Sequence, residues 1–161
     1  MHAVTGAILA LDLGTKLGWA IRHADQRIES GARDFSPERH EGDGLRFLRF
    51  RAWLHDTKQR LEAAGEQLGL IRYERVDFVP ADAGANAAHI YGGNWATVTM
   101  WAEHHGIPYG GVSPSTVKKA IAGNGHAKKP EVMEAIRKLG FNPATADEAD
   151  ALAVLHTPMA A

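Results

Sequence analysis

The segment Ala7–Leu11 is an unbroken apolar run, AILAL, that stops at Asp12 and is closed by Gly14. A short, wholly apolar segment bounded by glycine reads as a strand covered on both faces, the central strand of a sheet with helices above and below. That placement leaves Asp12 at the end of a doubly buried strand. A carboxylate there is costly unless it is paired, hydrogen-bonded or holding a metal. A lone aspartate in this position more often just caps a turn, so Asp12 gains meaning only from its company.

The rest of the chain supplies the layers. Leu17–His23 and Arg27–Phe35 are expected as two further strands around an Ala24–Asp25–Gln26 turn. Residues 38–68 are charge-rich, with Leu45, Leu48, Trp53, Leu54 and Leu61 at broadly helical spacing. Leu70–Glu74 is a strand-like run and Asp77–Gly84 a loop. Ala85–His105 is a second helix, weakened by Gly92-Gly93 because each glycine costs about 1 kcal/mol against alanine inside a helix. A strand at Ile107–Val112 ends in Ser113-Pro114-Ser115, a helix cap with proline in the first turn. Helices follow over Ser115–Ala122, Lys129–Leu139 and Ala146–Leu155. Three strands, a helix, then alternating strand and helix make a single mixed-sheet α/β domain over residues 1–161.

Composition narrows the chemistry. With 45% hydrophobic residues in 161, the chain can bury a core and is not disordered. The absence of cysteine removes disulfides, thiolate zinc sites and thiol nucleophiles. The start lacks a basic signal-peptide region, and no apolar stretch approaches the roughly 20 residues of a membrane span. A soluble cytoplasmic protein without membrane contact is therefore expected.

Two further acidic features join Asp12. Glu74 ends the Leu70–Glu74 run, although pairing with Arg72 or Arg75 is its blander reading. In DEADALAVL, Asp147 and Asp150 are three apart and share one helix face. The helix dipole accounts for Asp147, but less well for Asp150, which lies deeper beside the apolar stripe. Together the four make an oxygen-only set suited to Mg²⁺ or Mn²⁺ rather than zinc. Such a set can hold two ions about 4 Å apart, the arrangement for in-line attack on a phosphodiester.

Charge distribution agrees. The net charge is only −1, yet residues 114–138 carry Lys118, Lys119, Lys128, Lys129, Arg137 and Lys138 against Glu131 and Glu134. That local excess is what a phosphate-backbone footprint would look like, and Gly123-Asn124-Gly125 would let backbone amides approach a phosphate; a solvated helical face with i,i+3 and i,i+4 pairs is the blander reading. A second cluster, Arg46, Arg49, Arg51, Lys58 and Arg60, either extends the track or is diluted by Asp56 and Glu62. Tyr91, Trp95, Val98 and Trp101 read as core or interface. The nine histidines form no HExxH, and His104 and His105 are expected on different sides of their helix. Gly14-Thr15-Lys16 lacks the leading glycine and order of a P-loop.

ILALDLGTKLGWA, LIRYE, VSPSTVKKAIAGNGHAKK and ADEADALAVLH, in this order, resemble the RuvC family of Holliday-junction resolvases, from about Ala7 to His156. The resemblance implies an RNase H-like fold, a mixed five-stranded sheet with helices on both faces. By it, Asp12, Glu74, Asp147 and Asp150 correspond to the family's metal-binding catalytic acids. Lys118 and Lys129 correspond to basic residues near the scissile phosphate, with Lys119, Lys128 and Asn124 as further DNA contacts. The implied activity is Mg²⁺-dependent hydrolysis of four-way DNA, with two ions and Mn²⁺ able to substitute, leaving 5′-phosphate and 3′-hydroxyl ends. In that scheme Asp12 bridges both ions and Lys129 stabilises charge on the phosphate or orients the water. The family acts as a homodimer, and helix 85–105 is the expected contact surface. A branch-migration helicase is a further expected partner, which no residue pattern identifies.

One departure stands out. The family usually carries a junction-wedging aromatic shortly after the glutamate, three residues on in its best-known members; that place holds Asp77, and Phe78 comes next. Two other readings compete. The DLGTKxG opening also resembles YqgF-type RNA-processing nucleases, against which the Lys-rich GNG segment argues. A catalytically silent junction-binding protein is the other, but it would gain nothing from setting four carboxylates against phosphates.

Overall fold

The computed structural model describes residues 4–160. Five strands form one sheet: β1 (Ala7–Asp12), β2 (Leu17–Arg22), β3 (Ile28–Arg33), β4 (Leu68–Glu74) and β5 (Tyr109–Val112). Their spatial order is β3-β2-β1-β4-β5. β1, β2 and β3 form an antiparallel meander, whereas β1/β4 and β4/β5 are parallel. The helices are α1 (Leu45–Ala63), α2 (Ala85–His105), α3 (Pro114–Ala122), α4 (Lys129–Lys138) and α5 (Ala146–His156).

Period-2 alternation sorts the strand side chains between two cores. Leu9, Leu11, Ile71 and Tyr73 join Phe50, Leu54, Val98 and Trp101 beneath α1 and α2. Ala10 and Ala20 face the other way, into Val117, Ile136, Leu152 and Leu155 of α3, α4 and α5. The mixed sheet covered on both faces is thus as expected, with β1 at its centre.

The differences in detail have local causes. Residues 38–44 do not join α1; the helix starts only after Gly42 and Gly44. β4 starts earlier than expected, at Leu68, where parallel pairing with Ala7 recruits it. β5 is shorter, beginning at Tyr109 after Pro108, which has no N–H for the ladder. α2 runs unbroken through Gly92-Gly93. A Cβ at Gly93 would overlap the Phe47 ring, so the helix gives up propensity there to let α1 come close. No helix among the described residues is long and apolar enough to cross a membrane.

Candidate active site

Asp12 is the last residue of β1 and Glu74 the last of β4. The parallel register sets Leu11 beside Tyr73, so one step further Asp12 and Glu74 are neighbours at the same sheet edge. Alternation turns both toward α5, because Leu11 and Tyr73 point into the opposite core.

α5 delivers the other two acids. Thr145 caps its N-terminus, its hydroxyl accepting the Glu148 N–H at 3.1 Å. The Glu148 carboxylate accepts from the Ala144 N–H at 2.8 Å and the Ser30 hydroxyl at 2.7 Å, tying the first turn to β3. Gly18, opposite Asp12 on β2, completes the approach: a Cβ there would overlap the carbonyl oxygen of Asp147. Asp147 and Asp150 thereby come within electrostatic reach of Asp12, and Asp150 also of Glu74.

The charges register one another. Asp12 keeps some solvent access at the strand tip but is hemmed in by protein. Burial first, then Asp150, Glu74 and Asp147, hold its carboxyl well above the usual range, and Lys129 only partly offsets them. Asp150 is pushed up to about 6, chiefly by burial and further by Asp147, against the opposing pull of Lys129 and Lys118. Glu74 is raised by burial and by Asp150, while Lys118 and Lys129 pull it down. The four acids together therefore carry more negative charge than the two lysines balance.

Its backbone is braced from α2. The Tyr91 hydroxyl accepts the Val76 N–H at 2.8 Å and donates to the Glu74 carbonyl at 3.1 Å. Asn94, only 3% exposed, donates to the carbonyls of Leu13 at 3.1 Å and Gly14 at 3.3 Å, just after Asp12. Sequence reasoning passed over Tyr91, Asn94, Gly18 and Glu148 as site residues. The available signal was the polar pair Tyr91/Asn94 at helical spacing on an otherwise apolar face.

Not every expected residue joins the acids. Lys118 and Lys129 act on them, but Lys119, Lys128 and Asn124 lie exposed and make no recorded contact with them. Asn124 instead accepts the His126 N–H at 3.0 Å, and Lys128 donates its own N–H to Glu131 at 2.6 Å. Phe78 is 77% exposed on the loop leaving Glu74, beside Asp77, which is paired with Arg75 at 2.7 Å. Neither expected partner of Glu74 is engaged with it, since Arg72 is bonded to α5 carbonyls.

The second cationic cluster is largely neutralised: Arg49 pairs with Glu41, Lys58 with Glu62 and Arg60 with Glu29. His104 and His105, expected on different sides of α2, both border the groove between α1 and α2. Trp101 is core, and Trp95 is partly exposed with its ring N–H on the Tyr73 hydroxyl at 3.0 Å.

The all-oxygen donor set around Asp12 has the chemistry of a hard divalent-cation site. As the side chains stand, no three Asp, Glu or His groups among the described residues are gathered closely enough to coordinate one ion. The donor chemistry fits Mg²⁺ or Mn²⁺.

Residues 84–157 match the family model described as crossover junction endodeoxyribonuclease RuvC. A RuvC of Synechococcus sp. strain CC9605 is 34% identical over 110 residues, which is 63% of this chain and 71% of that protein. The RuvC of Gloeobacter violaceus is 44% identical over 63 residues, 37% of this chain and 36% of that protein. With two further curated relatives the matched segment likewise spans less than half of the relative, 33% and 46%. The structure of Thermus thermophilus RuvC in complex with a Holliday junction substrate superposes with a TM-score of 0.74 at 25% identity, covering 94% of this chain and 92% of that one. The yeast mitochondrial Holliday junction resolvase shares the fold at 13% identity, with a TM-score of 0.63 over 98% of this chain and 78% of that one.

Proposed function

The chain belongs to the RuvC family of crossover junction endodeoxyribonucleases, and on that premise we propose that its acid cleft hydrolyses the phosphodiester backbone of four-way DNA junctions. What carries this reading is the placement of Asp12 between Glu74 and the Asp147/Asp150 face, with more carboxylate charge than Lys118 and Lys129 offset.

Asp12, Glu74, Asp147 and Asp150 would hold two Mg²⁺ ions, with Mn²⁺ as a substitute. Bound there, the ions supply Lewis-acid polarisation of the phosphate and charge neutralisation. Asp12, which feels all three other acids, would be the ligand best placed to serve both ions. Lys129, from the start of α4, donates to a non-bridging oxygen as charge grows on the pentacoordinate phosphorus. Lys118 does the same from α3 and counters the carboxylate field that would otherwise repel the backbone. The attacking water gives up a proton as its oxygen bonds to phosphorus on the face opposite the 3′-oxygen. The P–O3′ bond breaks, and the leaving oxygen takes up a proton to give 5′-phosphate and 3′-hydroxyl ends. Lys119, Lys128 and Asn124 grip the flanking backbone, and Phe78 is free to enter the junction centre.

Cutting opposed strands needs two such sites, so we read the working form as a homodimer with exposed Trp95 and Met100 of α2 at its contact. A monomeric mass by light scattering at micromolar concentration counts against that. A branch-migration helicase and a cytoplasmic workplace belong to the same reading.

The test is cleavage with Mg²⁺ of a mobile four-way junction beside linear duplex, splayed arms and RNA duplex, with Asp12→Asn and Asp150→Asn in parallel. Paired symmetric nicks in the junction, absent in both variants, are the expected result. Preferential cutting of splayed arms or RNA moves the protein to another RNase H-like nuclease. Tight junction binding without cutting by the parent protein overturns the assignment to an enzyme.

A further inference from the structure

Arg72 is the one Lys, Arg, Asp or Glu side chain among the described residues that is as buried as the core, at 6% exposure. It has no carboxylate partner among them. Burying an unpaired guanidinium is expensive, and burial together with Arg22 lowers its pKa. Something structural must hold it there. Its Nη1 donates to the carbonyls of Val154 at 3.0 Å and Thr157 at 2.5 Å. Arg22, reaching from β2, donates through Nη2 to the carbonyl of Leu155 at 3.4 Å. Val154 and Leu155 lie in the last turn of α5 and Thr157 is its C-cap; carbonyls at a helix end run short of partners within the helix, although Val154 also accepts the Thr157 N–H at 3.3 Å, and positive charge there complements the helix dipole.

The other end of α5 carries Asp147 and Asp150, pressed toward Asp12 and Glu74. Four like charges at one end push the helix away from the sheet edge. The Glu148–Ser30 bond in the first turn and the contacts farther along the helix resist. Arg72 lies two residues before Glu74 on the same face of β4, so one strand presents an acid to the front of α5 and a cation to its back.

We propose that Arg72, assisted by Arg22, is a positioning residue that fixes α5 against the sheet and so keeps Asp147 and Asp150 within reach of the ions shared with Asp12 and Glu74. The proposal rests on the reading of these acids as the metal site. It makes no contact with DNA part of Arg72's role.

The experiment is Mn²⁺ binding, followed by electron paramagnetic resonance and calorimetry on the full chain without DNA. Parent, Asp12→Asn, Arg72→Met and Arg72→Lys proteins are compared, with circular dichroism and junction affinity in EDTA measured alongside. The parent should bind Mn²⁺ in a manner abolished by Asp12→Asn. Arg72→Met should keep its folded spectrum and its junction affinity within about twofold, yet weaken Mn²⁺ about 10- to 100-fold, as loss of an outer supporting contact does. Arg72→Lys, which keeps the charge but not the two-carbonyl reach, should fall between. Folded Arg72→Met with parental Mn²⁺ affinity overturns the clamp and leaves the metal site standing. If Arg72→Met does not fold, Arg72→Lys decides, and parental affinity in it overturns the clamp equally. A parent protein without Asp12-dependent Mn²⁺ binding overturns the metal site, and the clamp with it.

Discussion

Asp12 carries the sharpest consequences at the scale of single residues. In the chelated protein its carboxylate is buried among three others, so replacing it with an amide of the same shape removes repulsion. Asp12→Asn should therefore raise the melting temperature in EDTA, by roughly 2–4 °C for each kcal/mol of relief in a chain of this size. If Asp12 is a metal ligand as proposed, the same variant should lose at least about a hundredfold in cleavage, because loss of a ligand exceeds the cost of losing an outer contact. Junction binding in EDTA should be kept or tightened, since one negative charge has left the phosphate path. A gel-shift titration beside a melting curve checks both; a lower melting point in EDTA would show that Asp12 is held by contacts stronger than its repulsions. The acids themselves were legible from strand-end position and Asp-x-x-Asp spacing. Arg72 was not: in LIRYE an arginine before a glutamate looks like its salt-bridge partner, and only the sheet's cover of α5 reveals that it serves another helix's carbonyls.

At the scale of elements, the contact between β2 and α5 decides how close the acids come. Gly18→Ala would force its methyl against the Asp147 carbonyl, where backbone on both sides leaves little room to yield. Overpacking of this kind costs about 1–3 kcal/mol. It should lower the melting temperature and reduce cleavage together, with added Mg²⁺ failing to restore full rate. An alanine variant that cuts at the parental rate shows that α5 can shift without harm. On the opposite side, Tyr91→Phe removes one hydroxyl that serves both the Val76 N–H and the Glu74 carbonyl. The stranded backbone groups should cost about 1–3 kcal/mol, read as an earlier denaturation midpoint. The Ser113 cap and Pro114 at the start of α3 were visible in the sequence, whereas the reason α2 carries Gly93 was not, because it is the Phe47 ring of another helix.

At the scale of the whole molecule, pH should act from two sides on the metal-free protein. Glu66 and Glu29 work in the usual direction. Burial tends to raise each, but hydrogen bonds outweigh it and leave both below the ordinary value: from His23 and the Ala24 N–H to Glu66, and from Arg60 and His23 to Glu29. Groups lowered in the folded state lend stability above their unfolded pKa, near 4.5, and that stability is lost as pH falls through the folded one. Asp150 works the opposite way. Raised from 3.8 to about 6, it binds its proton more tightly when folded, so its contribution is present below 3.8 and lost as pH climbs toward 6. In EDTA, stability should thus peak in the mildly acidic range and decline toward neutrality. Asp150→Asn should flatten the neutral side, and Mg²⁺ should restore it in the parent. Denaturation midpoints from pH 3 to 8, with and without Mg²⁺, test this directly; a neutral limb that ignores both Mg²⁺ and Asp150→Asn would show the acids to be uncoupled.

By itself the sequence determined the alternation of elements, the buried central strand and the residue types of the cleft, since apolar periodicity, caps and acid spacing act locally along the chain. It also set the cationic character of residues 114–138. The tertiary structure decided which charges matter. It took Arg49, Lys58 and Arg60 into ion pairs, left Phe78 exposed, and set Asp12 beside Glu74 through a register between strands that lie more than fifty residues apart in the chain. Burial and mutual repulsion depend on distances between elements remote in sequence. For that reason the shifts at Asp12, Glu74 and Asp150, and the bonds from Arg72 to the end of α5, exist only once the chain is folded.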